Sequence, residues 1–355
     1  MRLVPRITTA LVALALLAAP GCSKKSRVTA PDTRRTYGMG FSAIPPRGGD
    51  LPLVVQTIDL WAQRADFALL LIEPPWDSLL AGMPADTLVK GFQLGLANYY
   101  RSKGLRIVAS IDPTNGLDRA ADSAPLVAAG RSLTEPAVRA LYRDYCLALD
   151  TLVHPDYLGI ASETNLVRAI APAPLYAAVV LAAESTAAAV RAVDPAVKLY
   201  STVQVETAWG RLAPAGGYVG VAQDRADFAF VQALGLSSYP YLGGFTDPDS
   251  IPGDYYTRLT LGSPIPVMVI EGGWASTTVA VPSTPEMQRR YIARHARLLD
   301  AAGAIGWFQI TFTDLDLTSF PPGVAPFATL GLVDVSLQPK PALSAWDAEF
   351  ARRRR

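Results

Sequence analysis

The chain has 355 residues, of which 50% are hydrophobic and 18% charged, with a formal net charge of +1. That length holds one large barrel or two ordinary domains, and the composition excludes a largely disordered chain. The charge balance gives no drive toward nucleic acid, and no basic patch interleaved with aromatics occurs, so nucleic acid is not an expected partner.

Residues 1–21 read as a signal peptide. Arg2 and Arg6 supply the positive start, and Leu11 to Ala19 is an apolar run too short for a stable membrane anchor. The run ends in Ala18-Ala19-Pro20-Gly21-Cys22. This resembles a bacterial lipoprotein signal, which makes Cys22 the lipid-bearing residue and the membrane a partner through that lipid. Ala19 and Pro20 depart from the usual leucine and small non-proline residue. Ser23 after the cysteine implies, by the same resemblance, the outer membrane of the cell envelope. The alternative is ordinary secretion with Cys22 removed or free. Residues 22–35, polar and proline-containing, read as a flexible tether. The barrel is expected over 36–350, and the arginine-rich 351–355 read as a solvated basic tail.

From Tyr37 onward, strand-like apolar runs alternate with helical patterns. Strands are expected at Tyr37–Ile44, where Gly38 and Gly40 mark close packing, then at Asp66–Ile72 and Leu105–Ile111. Further strands are expected at Tyr157–Ala161, Lys198–Val205, Ala233–Ser237, Pro266–Ile270 and Ile305–Ile310. Helices are expected at 51–65, 84–104, 134–154, 174–193 and 285–302, with a poor helix at Tyr255–Leu261. Strands alternating with helices give an α/β fold with a parallel sheet. Eight such units predict a single (β/α)8 TIM barrel. No Gly-rich strand-to-helix turn of the dinucleotide or P-loop type occurs.

Cys146 lies in a helical pattern and reads as a buried core residue, with no disulfide partner once Cys22 is lipidated. The two histidines, His154 and His295, lie far apart and lack further ligands at metal spacing. Neither a zinc site nor a Ser-His-Asp triad is supported, and no metal or cofactor is expected. Asp314 and Asp316 are a weak candidate for a cation site.

In such a barrel the strand C-terminal ends converge on one face, where active sites sit. The expected ends offer Ser42, Trp76, Asp112, Glu163, Glu206, Tyr239, Glu271 and Trp307. Glycosidic cleavage needs an acid for the leaving oxygen and a second carboxylate. Glu163 ends the fourth strand and Glu271 the seventh, so both can enter one cleft at the ~5–5.5 Å of a retaining enzyme. Asn165, Asp112 and Gln204 are candidates to bond sugar hydroxyls, and Glu206 reads as a polar rim or capping group.

The chain resembles the clan A glycoside hydrolases, retaining enzymes on (β/α)8 barrels. Gly235-Leu236-Ser237-Ser238-Tyr239-Pro240-Tyr241 and Ile270-Glu271-Gly272-Gly273-Trp274 look most like glycoside hydrolase family 53, the arabinogalactan endo-β-1,4-galactanases. The closing Gly331-Leu332-Val333-Asp334 and Pro339-Lys340-Pro341-Ala342 are similar to the end of many such domains. The resemblance implies a retaining endo-glycosidase acting on a β-linked, galactan-like polysaccharide or oligosaccharide. It makes Glu163 the acid/base and Glu271 the nucleophile, with Tyr239 bonded to Glu271. Trp307 is then the floor under the sugar, and Trp274, Trp76 and Tyr241 are platforms for neighbouring sugars. The chain departs from the clan at Ser162, where asparagine is usual. It has Glu73-Pro74-Pro75-Trp76 where an arginine ends strand two, and no histidine ends strand three. A non-catalytic glycan-binding barrel lipoprotein is the alternative. A two-lobed solute-binding protein is a third, though no crossover linker occurs.

Overall fold

The computed structural model describes residues 34–212, 216–262, 264–277 and 282–355. Cys22 and the segments expected as signal peptide and most of the tether lie outside the described residues.

Eight parallel strands close into a barrel in sequence order. They are β1 (Gly38–Ser42), β2 (Phe67–Ile72), β3 (Arg106–Ile111), β4 (Tyr157–Gly159), β5 (Lys198–Gln204), β6 (Ala233–Ser238), β7 (Val267–Gly272) and β8 (Gly306–Gln309). The single (β/α)8 barrel expected from the sequence is the observed fold. The closed barrel leaves no two-lobed arrangement.

Strands buried on both faces carry no polar alternation, and β2, Phe-Ala-Leu-Leu-Leu-Ile, is of that kind. Its Phe67 and Leu69 fill the barrel interior with Val108, Tyr200, Met268 and Phe308. Ala68, Leu70 and Ile72 point the other way, into the larger layer between barrel and helices. Gly38 is needed where that interior is tightest: a Cβ there would stand 2.0 Å from Phe67 Cε2.

The long helices are Leu51–Ala62, Ala85–Ser102, Pro136–Val153, Ala173–Val193 and Pro285–Ala302, with a closing helix at Pro341–Phe350. Their ends follow capping chemistry. The Thr284 side chain accepts from Met287 N–H at 3.2 Å, and Gly303 ends that helix at a φ of 59°. Cys146 is buried and free.

The crossovers after β5 and β6 differ from the expected alternation. Among the described residues the first carries only the short helices Val205–Ala208 and Ala222–Asp227. The expected helix at Tyr255–Leu261 is a single 3-10 turn, Thr257–Thr260. Pro240, Pro248, Pro252 and three glycines between 243 and 253 break any longer run.

The far end of the tether is fixed to the barrel. Arg35 is buried, pairs with Asp66 at 2.6 Å and donates to the Arg352 carbonyl at 3.0 Å. Of the closing arginines, Arg352 is half-buried on Asp300 and Glu349, both at 2.6 Å, while 353–355 are exposed.

Candidate active site

Glu271 reaches the barrel mouth through a defect in the sheet. Leu236 pairs with Val269, but Ser237 pairs with Glu271, so Ile270 is an extra residue on β7. Strict alternation would send Glu271 to the helix side, along with Val267 and Val269. A bulge re-aims side chains, and bulges recur beside active sites. Here Ile270 and Glu271 both line the mouth cavity. One carboxylate oxygen, Oε1, accepts from Tyr239 OH at 3.1 Å and from Ser237 Oγ at 3.2 Å.

Glu163 stands four residues past β4, at the start of the short helix Thr164–Ile170. Its backbone is left-handed, φ 44° and ψ 46°. A non-glycine residue held there costs of order 1–3 kcal/mol and persists only where its surroundings enforce it. The enforcing contacts are present. Glu163 N–H donates to Thr202 Oγ1 at 2.7 Å, and its Oε2 accepts from Arg119 Nε at 2.7 Å.

Arg119 is a central site residue that the sequence analysis missed. It lies in the loop after β3 and is 6% exposed. Its Nη1 donates to Asp112 Oδ2 and, at 3.1 Å, to Thr114 Oγ1. Burial works against its charge, but Asp112 and Glu163 outweigh burial and raise its pKa. Asp112 starts that loop as an Asx turn, accepting from Thr114 N–H at 3.0 Å.

Asp112, Arg119, Ser162, Ser237, Tyr239 and Glu271 share one cavity of about 300 Å³. Glu271 is pushed up to about 7, first by burial and next by the charge of Glu163, with Arg119 opposing. Glu163 is tied to this cavity through Arg119, which lines it beside Asp112 and Glu271, while Glu163 itself is buried at its edge.

The other expected substrate contacts lie elsewhere. Trp307 is wholly buried on the helix side, against Tyr37, His295 and Trp346. Alternation along β8 explains this, because Phe308 is the residue that enters the barrel. Trp76 is buried on Tyr142, with ring centroids 6.3 Å apart. Trp274 is buried between Tyr241 and Tyr291 and donates from its indole to Ser283 Oγ at 2.9 Å. Tyr241 is buried and donates to the Pro326 carbonyl at 2.9 Å. None of the four offers a face to a sugar.

Asn165 and Gln204 are buried and satisfied within the protein. Asn165 donates to the Gln204 carbonyl at 2.8 Å and accepts from Gln204 N–H at 2.7 Å. The Gln204 side chain caps Thr207 N–H at 2.6 Å and donates to Glu206. Glu206 is no rim group: it is fully buried. Asp314 pairs with Lys340 at 2.7 Å and Asp316 with Arg47 at 3.2 Å, so both weak cation candidates have protein partners. Among the described residues no group of three or more His, Cys, Asp or Glu is placed to hold a metal.

No family model and no curated protein sequence matches the chain. Solved structures do match in fold. An exo-β-1,4-mannosidase from Opitutaceae bacterium strain TAV5 aligns with a TM-score of 0.66 at 16% identity, over 89% of this chain and 59% of that one. A β-glucuronidase from Bifidobacterium dentium aligns at 0.60 and 15% identity, over 90% and 46%. One from an uncultured Clostridium sp. aligns at 0.57 and 15%, over 89% and 50%. The chain spans about half the length of these structures, and at such identities the likeness is one of fold.

Proposed function

We propose that this barrel is a retaining glycosidase acting on a β-linked glycoside. The observation that carries the reading is Glu271, bulged into the mouth cavity with hydroxyl donors on one oxygen, in a cavity shared with Asp112 and with Arg119, the partner of Glu163. The structural neighbours named above, a mannosidase and glucuronidases, are consistent with that chemistry.

Glu271 attacks the anomeric carbon as the glycosidic C–O bond breaks, and Glu163 gives its proton to the leaving oxygen. Water then attacks the glycosyl–Glu271 ester, Glu163 takes the water proton, and Glu271 leaves as carboxylate. Tyr239 and Ser237 hold the attacking carboxylate in place. Their hydrogen bonds favour its charged form against the burial that opposes it. Galactan-like specificity rests on the strand-six and strand-seven motifs. Envelope anchorage rests on Cys22, and loss of membrane partitioning in Cys22→Ala tests it.

The direct test is trapping. A panel of activated 2-deoxy-2-fluoro β-glycosides is offered to the protein, and the labelled peptide is found by mass spectrometry. A glycosyl adduct on Glu271 is expected. An adduct on another residue, or turnover with inverted product, removes the assignment.

One observation favours a second reading, the non-catalytic glycan-binding barrel. Glu163 Oε2 is held by Arg119 at 2.7 Å, and Glu163 is buried and is not among the residues lining the cavity, whereas an acid must reach the leaving oxygen. That reading predicts saturable sugar binding with no bond cleavage under any pH.

A further inference from the structure

Two loops approach each other at the rim of the mouth. Leu117, in the loop after β3, is 52% exposed, yet its side chain meets the segment after β8. A Cβ on Gly323 would stand 3.3 Å from Leu117 Cδ1. β1 and β2 lie between β3 and β8 in the barrel, so these loops meet across the rim rather than side by side. Leu117 and Val324, from these two loops, both line the cavity.

The pocket is also divided by chemistry. The carboxylates of Asp112 and Glu271, Arg119 and the hydroxyls of Ser237 and Tyr239 supply its polar part. Ile44, Leu117, Ile310, Leu315, Val324 and Phe327 supply an apolar part. Its volume of about 300 Å³ is at the small end of ligand pockets, which run ~300–1,000 Å³. The aromatic rings a sugar chain would stack on, Trp76, Tyr241, Trp274 and Trp307, are wholly enclosed. Phe327 does reach the pocket, packed on Tyr239 with ring centroids 4.9 Å apart.

We propose that the substrate is a small glycoside: one sugar at Glu271, carrying an apolar aglycone that lies against Leu117, Leu315, Val324 and Phe327. This rests on the glycosidase reading and replaces the polysaccharide within it. The bond broken is the one between the anomeric carbon and the aglycone oxygen. Glu163 protonates that oxygen, so the product is a free alcohol or phenol.

The experiment compares methyl, octyl and 4-nitrophenyl β-glycosides of glucose, galactose, mannose and glucuronic acid, kept below micelle concentrations, with soluble galactan and mannan. Each buried methylene raises affinity about fourfold, so KM for at least one sugar is expected to fall roughly tenfold or more from methyl to octyl. Leu117→Ser, an exposed position, narrows that ratio. Polymer cleavage matching or exceeding that of the small glycosides overturns the inference and leaves the glycosidase reading intact. So does a KM indifferent to chain length. Should nothing be cleaved, binding of the same glycosides to Glu271→Gln decides. Chain-length-dependent binding keeps the pocket assignment and ends the catalytic one; no binding ends both.

Discussion

Glu206 follows β5 and Glu271 is the next-to-last residue of β7 in one barrel, and both are pushed up first by burial. Their surroundings differ. Glu206 accepts from Tyr255 OH at 2.7 Å, from Ser238 Oγ at 3.3 Å and from Gln204. Behind it, Ser238 reaches Tyr256 OH at 3.0 Å, which reaches His295 Nε2 at 2.9 Å. Both oxygens are engaged, and Glu206 is fully buried. Glu271 has two hydroxyls on one oxygen, an open cavity, and a second acid nearby. A strand-end acid becomes a reaction centre when it has access and an unspent lone pair; otherwise it is part of the core. The same residue type serves either end.

The largest test of this contrast swaps the expected losses. Glu271→Gln should lower kcat by roughly 10³–10⁴-fold with the fold retained. Glu206→Ala should leave kcat of the folded protein near wild type and lower stability by about 2–4 kcal/mol, because it strands buried donors and opens a cavity. Kinetics and denaturant melts on both variants check this. A Glu206 variant that is stable but inactive would invert the two roles.

Next in size is pH. An attacking carboxylate must be ionised, and Glu271 sits at about 7. kcat/KM should therefore climb about tenfold per unit up to that value and then level, until another group titrates. A profile that instead falls through the same region would make Glu271 the proton donor and Glu163 the nucleophile. Stability runs the other way. Unfolded glutamate titrates near ~4.3, so folding favours the protonated form. The stability this group contributes is full below ~4.3 and is lost as pH rises through about 7. At pH 8, Glu271→Gln should be the more stable protein by about 2–3 kcal/mol, the cavity's solvent lessening the effect.

How far the sequence carried this site follows from what local patterns encode. The barrel was legible because parallel strands buried on both faces stand out as apolar runs, each ending at a polar residue. Glu271, Asp112 and Tyr239 lie at or near such ends and line one cavity, and Glu163 is joined to them through Arg119. The aromatic platforms were misread because a strand sends neighbours to opposite faces, and on β8 the residue after Trp307 is the one that enters. Arg119 was hidden for another reason. It belongs to an irregular loop, and only the closed fold brings it between Asp112 and Glu163. The one local sign was its place in a loop of Asx turns seven residues beyond a strand-end aspartate. The bulge at Ile270 leaves no mark in composition, and without it Glu271 would face the helices.

The finest test uses a matched pair of tyrosines. Tyr239 and Tyr255 each donate one hydrogen bond to a glutamate, at 3.1 and 2.7 Å. Tyr255→Phe removes a donor from an enclosed carboxylate, so stability should fall by about 1–2 kcal/mol with kinetics unaltered. Tyr239→Phe removes a bond that holds the Glu271 pKa down. Its acid limb should therefore move to higher pH, with kcat/KM at pH 7 reduced up to about tenfold, equivalent to about 1.4 kcal/mol. The displaced limb is the decisive reading, because a purely structural loss would lower the whole profile without moving it. An unmoved limb in Tyr239→Phe would place Tyr239 with Tyr255 as a packing residue, and Glu271 would then depend on Ser237 alone for its hydroxyl donor.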